Sequence, residues 1–223
     1  MCPVHDKYAN YLRNHLFDYL ASSNYQYYQE GRKSEYEQEE YLKNIEKLTS
    51  SIQHNIKSFG KLKNNGYRGS IIDSMKNLET LKKLGVKTAI SLYPLYDYEG
   101  EDKCKKEGIE YFYIEMPPDF NNIDSGYCKK FVKFSELTKQ GNFILGCEFG
   151  TYKTNFAMTA YKILNPHNPL LTHYDQDYEI NYTDWINIVD IYETLSADDK
   201  KELGYTSEVE EEIIKSFELR GIY

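Results

Sequence analysis

The chain has 223 residues, enough for one sizeable domain with an appendage and a buried core. Its 40% hydrophobic and 28% charged residues are ordinary for a soluble globular protein, and no run approaches the ~18 apolar residues of a membrane span. A net charge of −8, with acid concentrated in the C-terminal third, excludes a general nucleic-acid binder with its basic stripe, though not a local anion site built from backbone amides.

Residues 1–60 read as a helical N-terminal extension. Tyr41, Leu42, Ile45, Leu48, Ile52, Ile56 and Phe59 recur every three to four residues and form one apolar stripe opposite Glu, Lys and Gln. Such a helix packs on the domain behind it or offers a surface to a protein partner. The N-terminus lacks the apolar stretch of a signal peptide. Cys2, Cys104, Cys128 and Cys147 show neither a C-x-x-C pair nor a metal-ligand spacing. A reducing, cytoplasmic setting is therefore expected, with export lacking a cleaved signal left open.

The turn-rich segment 60-GKLKNNG-66 marks a boundary, and residues 61–223 read as one α/β domain. Residues 73–85 predict a helix capped by Asp73 and ended by Gly85, with Met75, Leu78, Leu81 and Leu84 on one face. A strand-like run over 86–92 follows, then an acidic, Lys-rich stretch to Gly108. A second run covers 109–116, a Pro-Pro-Asp loop leads to a helix over 124–139, and a third run covers 142–147. Alternation of this kind predicts a parallel central sheet of four to five strands, flanked by helices, with its ligand site at the strands' carboxyl ends. Helical segments over 182–195, 196–204 and 206–221 complete the chain, with Trp185 packing against the domain.

The third run delivers Cys147 into 147-CEFGTYKT-154, which opens a helix. A phosphomonoester dianion needs a cradle of donors, a nucleophile beneath it and an acid for the leaving oxygen. The amides of Glu148, Phe149, Gly150, Thr151, Tyr152 and Lys153 can supply the cradle, and the helix N-terminus favours both phosphate and thiolate. Gly150 relieves backbone strain in mid-loop, and Thr154 is placed to hydrogen-bond the thiolate. The competing reading makes Cys147 a small buried hydrophobe at a strand end.

From Tyr67 to about Leu164 the sequence resembles the cysteine-dependent protein-tyrosine and dual-specificity phosphatases, whose signature is H-C-x5-R-[ST]. The segments 67-YRGS-70, 78-LETLKKLGVKTAISL-92 and 109-IEYFYIEMPP-118 have the look of the atypical and inositol-phosphate-directed branches, and CEFG is similar to the loop of phytase-like members. Three positions depart from the pattern: Gly146 stands for the histidine, Lys153 for the arginine, and Tyr93 for an arginine after the first strand. Lys offers a point charge where Arg offers a planar fork to two phosphate oxygens. The loss of one charge-assisted hydrogen bond costs ~1.5–3 kcal/mol, or roughly 10- to 150-fold in rate.

The resemblance implies a phosphomonoester hydrolase working through a phosphocysteine, without a cofactor and slowed by Lys153. The alternative is a pseudophosphatase that holds phosphotyrosine or an inositol phosphate. It further implies Cys147 as nucleophile, Lys153 as the transition-state cation, Thr154 as thiolate support and Asp119, 28 residues before the cysteine, as general acid. Asp124 and Glu115 are rivals for the acid, Asp124 suiting a helix N-cap. Arg68 either reaches a substrate phosphate or makes a structural pair. Lys129, Lys130, Lys133 and Lys139 either form a solvated helix face or meet a polyphosphorylated ligand. His167, His173, Asp175 and Asp177 are read as loop polarity in preference to a metal site.

Overall fold

A computed structural model describes residues 35–94, 99–116, 123–168, 170 and 182–219. The chain divides into two compact units, Met1–Glu46 and Lys47–Tyr223. In the first, the described residues are the opening turns of helix α1 (Glu35–Asn55). The expected helix over the residues before 35 lies outside the described ones, as do Cys2, Asp119 with its two prolines, and His173, Asp175 and Asp177.

The second unit is a three-layer α/β structure around one five-stranded sheet. After α1, whose Ile52 is buried, as is Ile56 just past its end, come β1 (Gly60–Lys61) and β2 (Tyr67–Ser70). Helices α2 (Ile71–Lys76) and α3 (Leu78–Lys83) lead to β3 (Thr88–Ser91). Helix α4 (Glu99–Glu107) leads to β4 (Glu110–Tyr113), and α5 (Ser125–Gln140) to β5 (Phe143–Cys147). Then follow α6 (Tyr152–Leu164), α7 (Tyr182–Thr194), α8 (Ala197–Leu203) and α9 (Ser207–Glu218). The strand order is β1-β2-β5-β3-β4. Only the β1–β2 pairing is antiparallel; β2–β5, β5–β3 and β3–β4 are parallel.

Burial explains the order. All five residues of β5, FILGC, are buried, as are the four of β2 and of β3. Strands covered on both faces read as continuous apolar runs and belong inside a parallel sheet. Strand β4 has no fully buried residue, with exposed ends and a half-buried middle, and occupies an edge. The apolar face of α5, with Phe131, Phe134 and Leu137, packs with α6, α7 and α9 into one cluster that includes Phe156, Tyr161, Ile188 and Phe217. Trp185 is partly buried against it. Each fully buried large side chain of this kind removes surface worth ~1.5–3 kcal/mol from water.

Several local expectations changed. The helix expected over 73–85 is two short helices, and its cap is Ser70, whose side chain accepts from Asp73 N–H. Asp73 lies inside the first turn. Gly85 does end the segment, at φ +86°. The boundary 60–66 contains the edge strand β1 and two asparagines in the left-handed region, Asn64 and Asn65. The Lys-rich stretch before Gly108 is helix α4, whose buried contact is Cys104.

Candidate active site

Strand β5 ends in the middle of the sheet, flanked by β2 and β3, so its last residue emerges where neighbouring crossovers diverge. Cys147 lies opposite Ser70, and Gly146 opposite Ser91. The loop that follows turns back on Gly150 at φ +70°, where Gly150 N–H meets the Cys147 carbonyl at 3.3 Å. A Cβ on Gly150 would lie 2.6 Å from Ser70 N and overlap Gly69. Glycine is needed here twice, for the left-handed backbone and for the contact with β2.

Gly146 is equally constrained. A Cβ there would overlap the Gly69 carbonyl oxygen and stand 3.0 Å from Ile71 N. The position before the cysteine therefore admits no histidine in this backbone. Bonds from the far side of the loop reach the cysteine instead.

Those bonds converge on Cys147. Its backbone N–H donates to Thr154 Oγ1 at 3.1 Å, and Thr154 Oγ1 donates to Cys147 Sγ at 3.3 Å. Thr154 is fully buried in the first turn of α6. Burial pushes the Cys147 thiol up, but the Thr154 hydroxyl and the amides of Thr154, Thr151 and Gly150 outweigh it, holding the thiol below its usual range. Cys104 and Cys128, buried with no such donors, are pushed up to about 11. Of the described cysteines, Cys147 alone is biased toward thiolate.

The loop is held from outside by β2. Arg68, buried at 7% exposure, donates from Nη2 to Gly150 O at 2.7 Å and to Asn155 Oδ1 at 2.9 Å. Ser70 Oγ donates to Glu148 O at 2.7 Å. Tyr152, at the start of α6, donates its hydroxyl to Asp184 Oδ1 at 2.9 Å, joining the loop to α7. Phe149 is exposed, with Lys57 Nζ 5.7 Å from its ring centre. Glu148 and Lys153 are half-buried and Thr151 is exposed. Reading the sequence missed Ser70, Asn155 and Asp184. Ser and Asn have many roles, and none of the three has a spacing that pairs it with the cysteine.

The remaining candidates fall outside this constellation. Asp124 caps α5, accepting from Tyr127 N–H at 2.8 Å. Glu115 pairs with Lys130 at 3.8 Å across the surface. Lys129, Lys130, Lys133 and Lys139 are exposed on α5; Lys133 pairs with Glu136 at 3.0 Å and Lys139 donates to Leu203 O at 3.2 Å. His167 contacts Glu212 at 3.2 Å. Among the described residues no cluster of three or more His, Cys, Asp or Glu is placed to hold a metal, and no helix is long and apolar enough to cross a membrane.

Fold and loop together define an α/β protein with an activated cysteine at the carboxyl end of its central parallel strand. No protein-family model matches the sequence, and none of the curated proteins matches it. Solved structures are similar. A DUF442 phosphatase candidate from Shewanella putrefaciens CN-32 shares 15% identity over 66% of this chain and 96% of its own, with a TM-score of 0.48. The core catalytic domain of the PP-IP phosphatase SIW14 from S. cerevisiae shares 17% over 72% and 92%, with a TM-score of 0.40. TpbA from P. aeruginosa, solved in complex with pTyr, shares 12% over 67% and 84%, with a TM-score of 0.35. At such identities and TM-scores the likeness adds nothing to the chemistry of Cys147, which rests on the chain's own loop.

Proposed function

We propose that the chain is a cysteine-dependent phosphomonoester hydrolase of the protein-tyrosine and dual-specificity phosphatase type. The observation that supports this best is the thiol of Cys147, held below its usual range at the end of a strand and under a loop of amides. In the proposed reaction the Cys147 thiolate attacks phosphorus, a P–S bond forms and the P–O bond to the leaving group breaks. The amides of residues 148–153 receive the phosphate oxygens, and Lys153 balances the charge that develops on them. Among the described residues Lys153 has no hydrogen bond or ion pair that would draw it away. Asp119 is proposed to protonate the leaving oxygen and then take a proton from the water that cleaves the phosphocysteine, regenerating the thiolate.

The carrier of the phosphate that the resemblance of the sequence implies is a phosphorylated protein or an inositol phosphate, handled without a cofactor. A second reading is supported by Lys153 itself. With a point charge in place of a planar fork, the loop binds phosphate and turns it over slowly or not at all. Phosphate release from a small aryl phosphate separates the two. The enzyme reading expects release that Cys147→Ser abolishes. Silence in both proteins, with inorganic phosphate still raising the melting temperature, leaves the binding reading.

A further inference from the structure

We infer that Arg68 and Ser70 set the orientation of the phosphate loop, each holding one loop carbonyl outward so that the next amide faces the cysteine side. The inference rests on the phosphate-loop reading above. In a trans peptide the C=O of one residue and the N–H of the next point in opposite directions. Arg68 Nη2 grips Gly150 O at 2.7 Å, so the Thr151 N–H is turned away from Arg68. Ser70 Oγ grips Glu148 O at 2.7 Å, so the Phe149 N–H is turned away from Ser70. Two of the peptide planes of the cradle are thus fixed from one strand.

The architecture makes this arrangement specific. Residues 68 and 70 are two apart in β2 and share a face of the strand. The register sets Ser70 opposite Cys147. Gly69 lies between them, and its backbone is what Gly150 closes against. Arg68 is fastened at a second point by Asn155 Oδ1 at 2.9 Å, one residue after Thr154, so the same guanidinium ties the loop to the first turn of α6. At 7% and 1% exposure, Arg68 and Ser70 act through the loop and are positioning residues. The Thr151 amide, whose carbonyl partner Arg68 holds, is among those that reach the Cys147 sulfur.

A purely structural tie would alter folding stability and leave the thiol unchanged. The test therefore reads the pH profile of Cys147 alkylation by iodoacetamide, inorganic phosphate affinity and melting temperature together, in the full chain and in Arg68→Lys, Arg68→Met and Ser70→Ala. Arg68→Met and Ser70→Ala are expected to move the alkylation profile to higher pH and to weaken phosphate about 10-fold or more, as loss of oriented donors does. Arg68→Lys, which keeps one donor for Gly150 O, is expected to stay nearer the natural protein. Should Arg68→Met fail to fold, Asn155→Ala removes one acceptor of Arg68 and is expected to shift the profile in the same direction. Folded variants with an unchanged profile and unchanged phosphate affinity overturn the inference. A natural protein with no affinity for phosphate overturns the phosphate reading alone, and the shift between profiles still decides the loop's orientation.

Discussion

Cys147 and Thr154, seven residues apart, are bonded to each other twice. The Cys147 amide donates to Thr154 Oγ1, and that hydroxyl donates onward to the Cys147 sulfur. A hydroxyl that accepts from a backbone amide has its proton directed elsewhere, here at the sulfur. Replacing Thr154 with Val removes both bonds at nearly constant volume. The thiol then rises toward its ordinary range, and turnover of an aryl phosphate is expected to fall about 10- to 100-fold, with Thr154→Ser recovering most of the loss. Steady-state rates of the three proteins at one pH check this.

The cysteines differ in a way that pH exposes. Only the thiolate attacks iodoacetamide. Because Cys147 titrates below its usual value, its labelling rate climbs and levels off at lower pH than that of a free thiol. Cys104 and Cys128, fully buried and pushed up to about 11, stay unlabelled near neutral pH until the chain unfolds. Linkage follows the same sign. The depressed thiol of Cys147 contributes stability above its unfolded pKa, and that contribution is lost as pH falls through the folded one. Peptide mapping after labelling at a series of pH values reads the order directly.

Lys153→Arg restores the planar fork. If Lys153 meets the transferring phosphoryl group, the variant gains about 10- to 100-fold in the rate of phosphate release. A rate that does not rise removes Lys153 from the role of transition-state cation.

Gly146 sets the opposite limit, because the backbone leaves no room there for a side chain. Gly146→His, and even Gly146→Ala, would drive a Cβ into the Gly69 carbonyl and is expected to cost about 3 kcal/mol or more, with loss of soluble protein for the larger residue. Urea denaturation of Gly146→Ala measures it. Asp124→Ala offers a contrast. Its cost is that of a helix cap, about 1 kcal/mol, with phosphate release unchanged, because its side chain is committed to Tyr127 N–H.

Much of this architecture could be read from the chain, and the reason lies in pattern. FILGC is a continuous apolar run, and a strand buried on both faces announces itself in that way; TAIS is buried throughout although it carries Thr88 and Ser91. Asp124, read as suiting a helix N-cap, caps α5 in the structure. The order strand, cysteine, glycine, helix picked out the loop. What stayed hidden depends on register. Strand β2 has only four residues and carries an arginine and a glycine, so neither alternation nor apolar content marks it. Its place beside β5 follows from a pairing across 76 residues of intervening chain, Ser70 opposite Cys147. The partners Arg68–Gly150, Ser70–Glu148 and Tyr152–Asp184 are set by that register and by helix docking. Gly146, read as a lost histidine, is in the structure a backbone contact, a distinction that needs the neighbouring strand.

The account stands on Cys147 forming a bond to phosphorus, and the most direct measurement is mass spectrometry of the protein quenched in acid during reaction with a small aryl phosphate. The prediction is a phosphoryl group on the peptide that carries Cys147, present in the natural protein, absent in Cys147→Ser, and more abundant when Asp119 is replaced by Asn because hydrolysis of the intermediate slows. Phosphate release with no phosphoryl group on Cys147, or release that persists in Cys147→Ser, would contradict it.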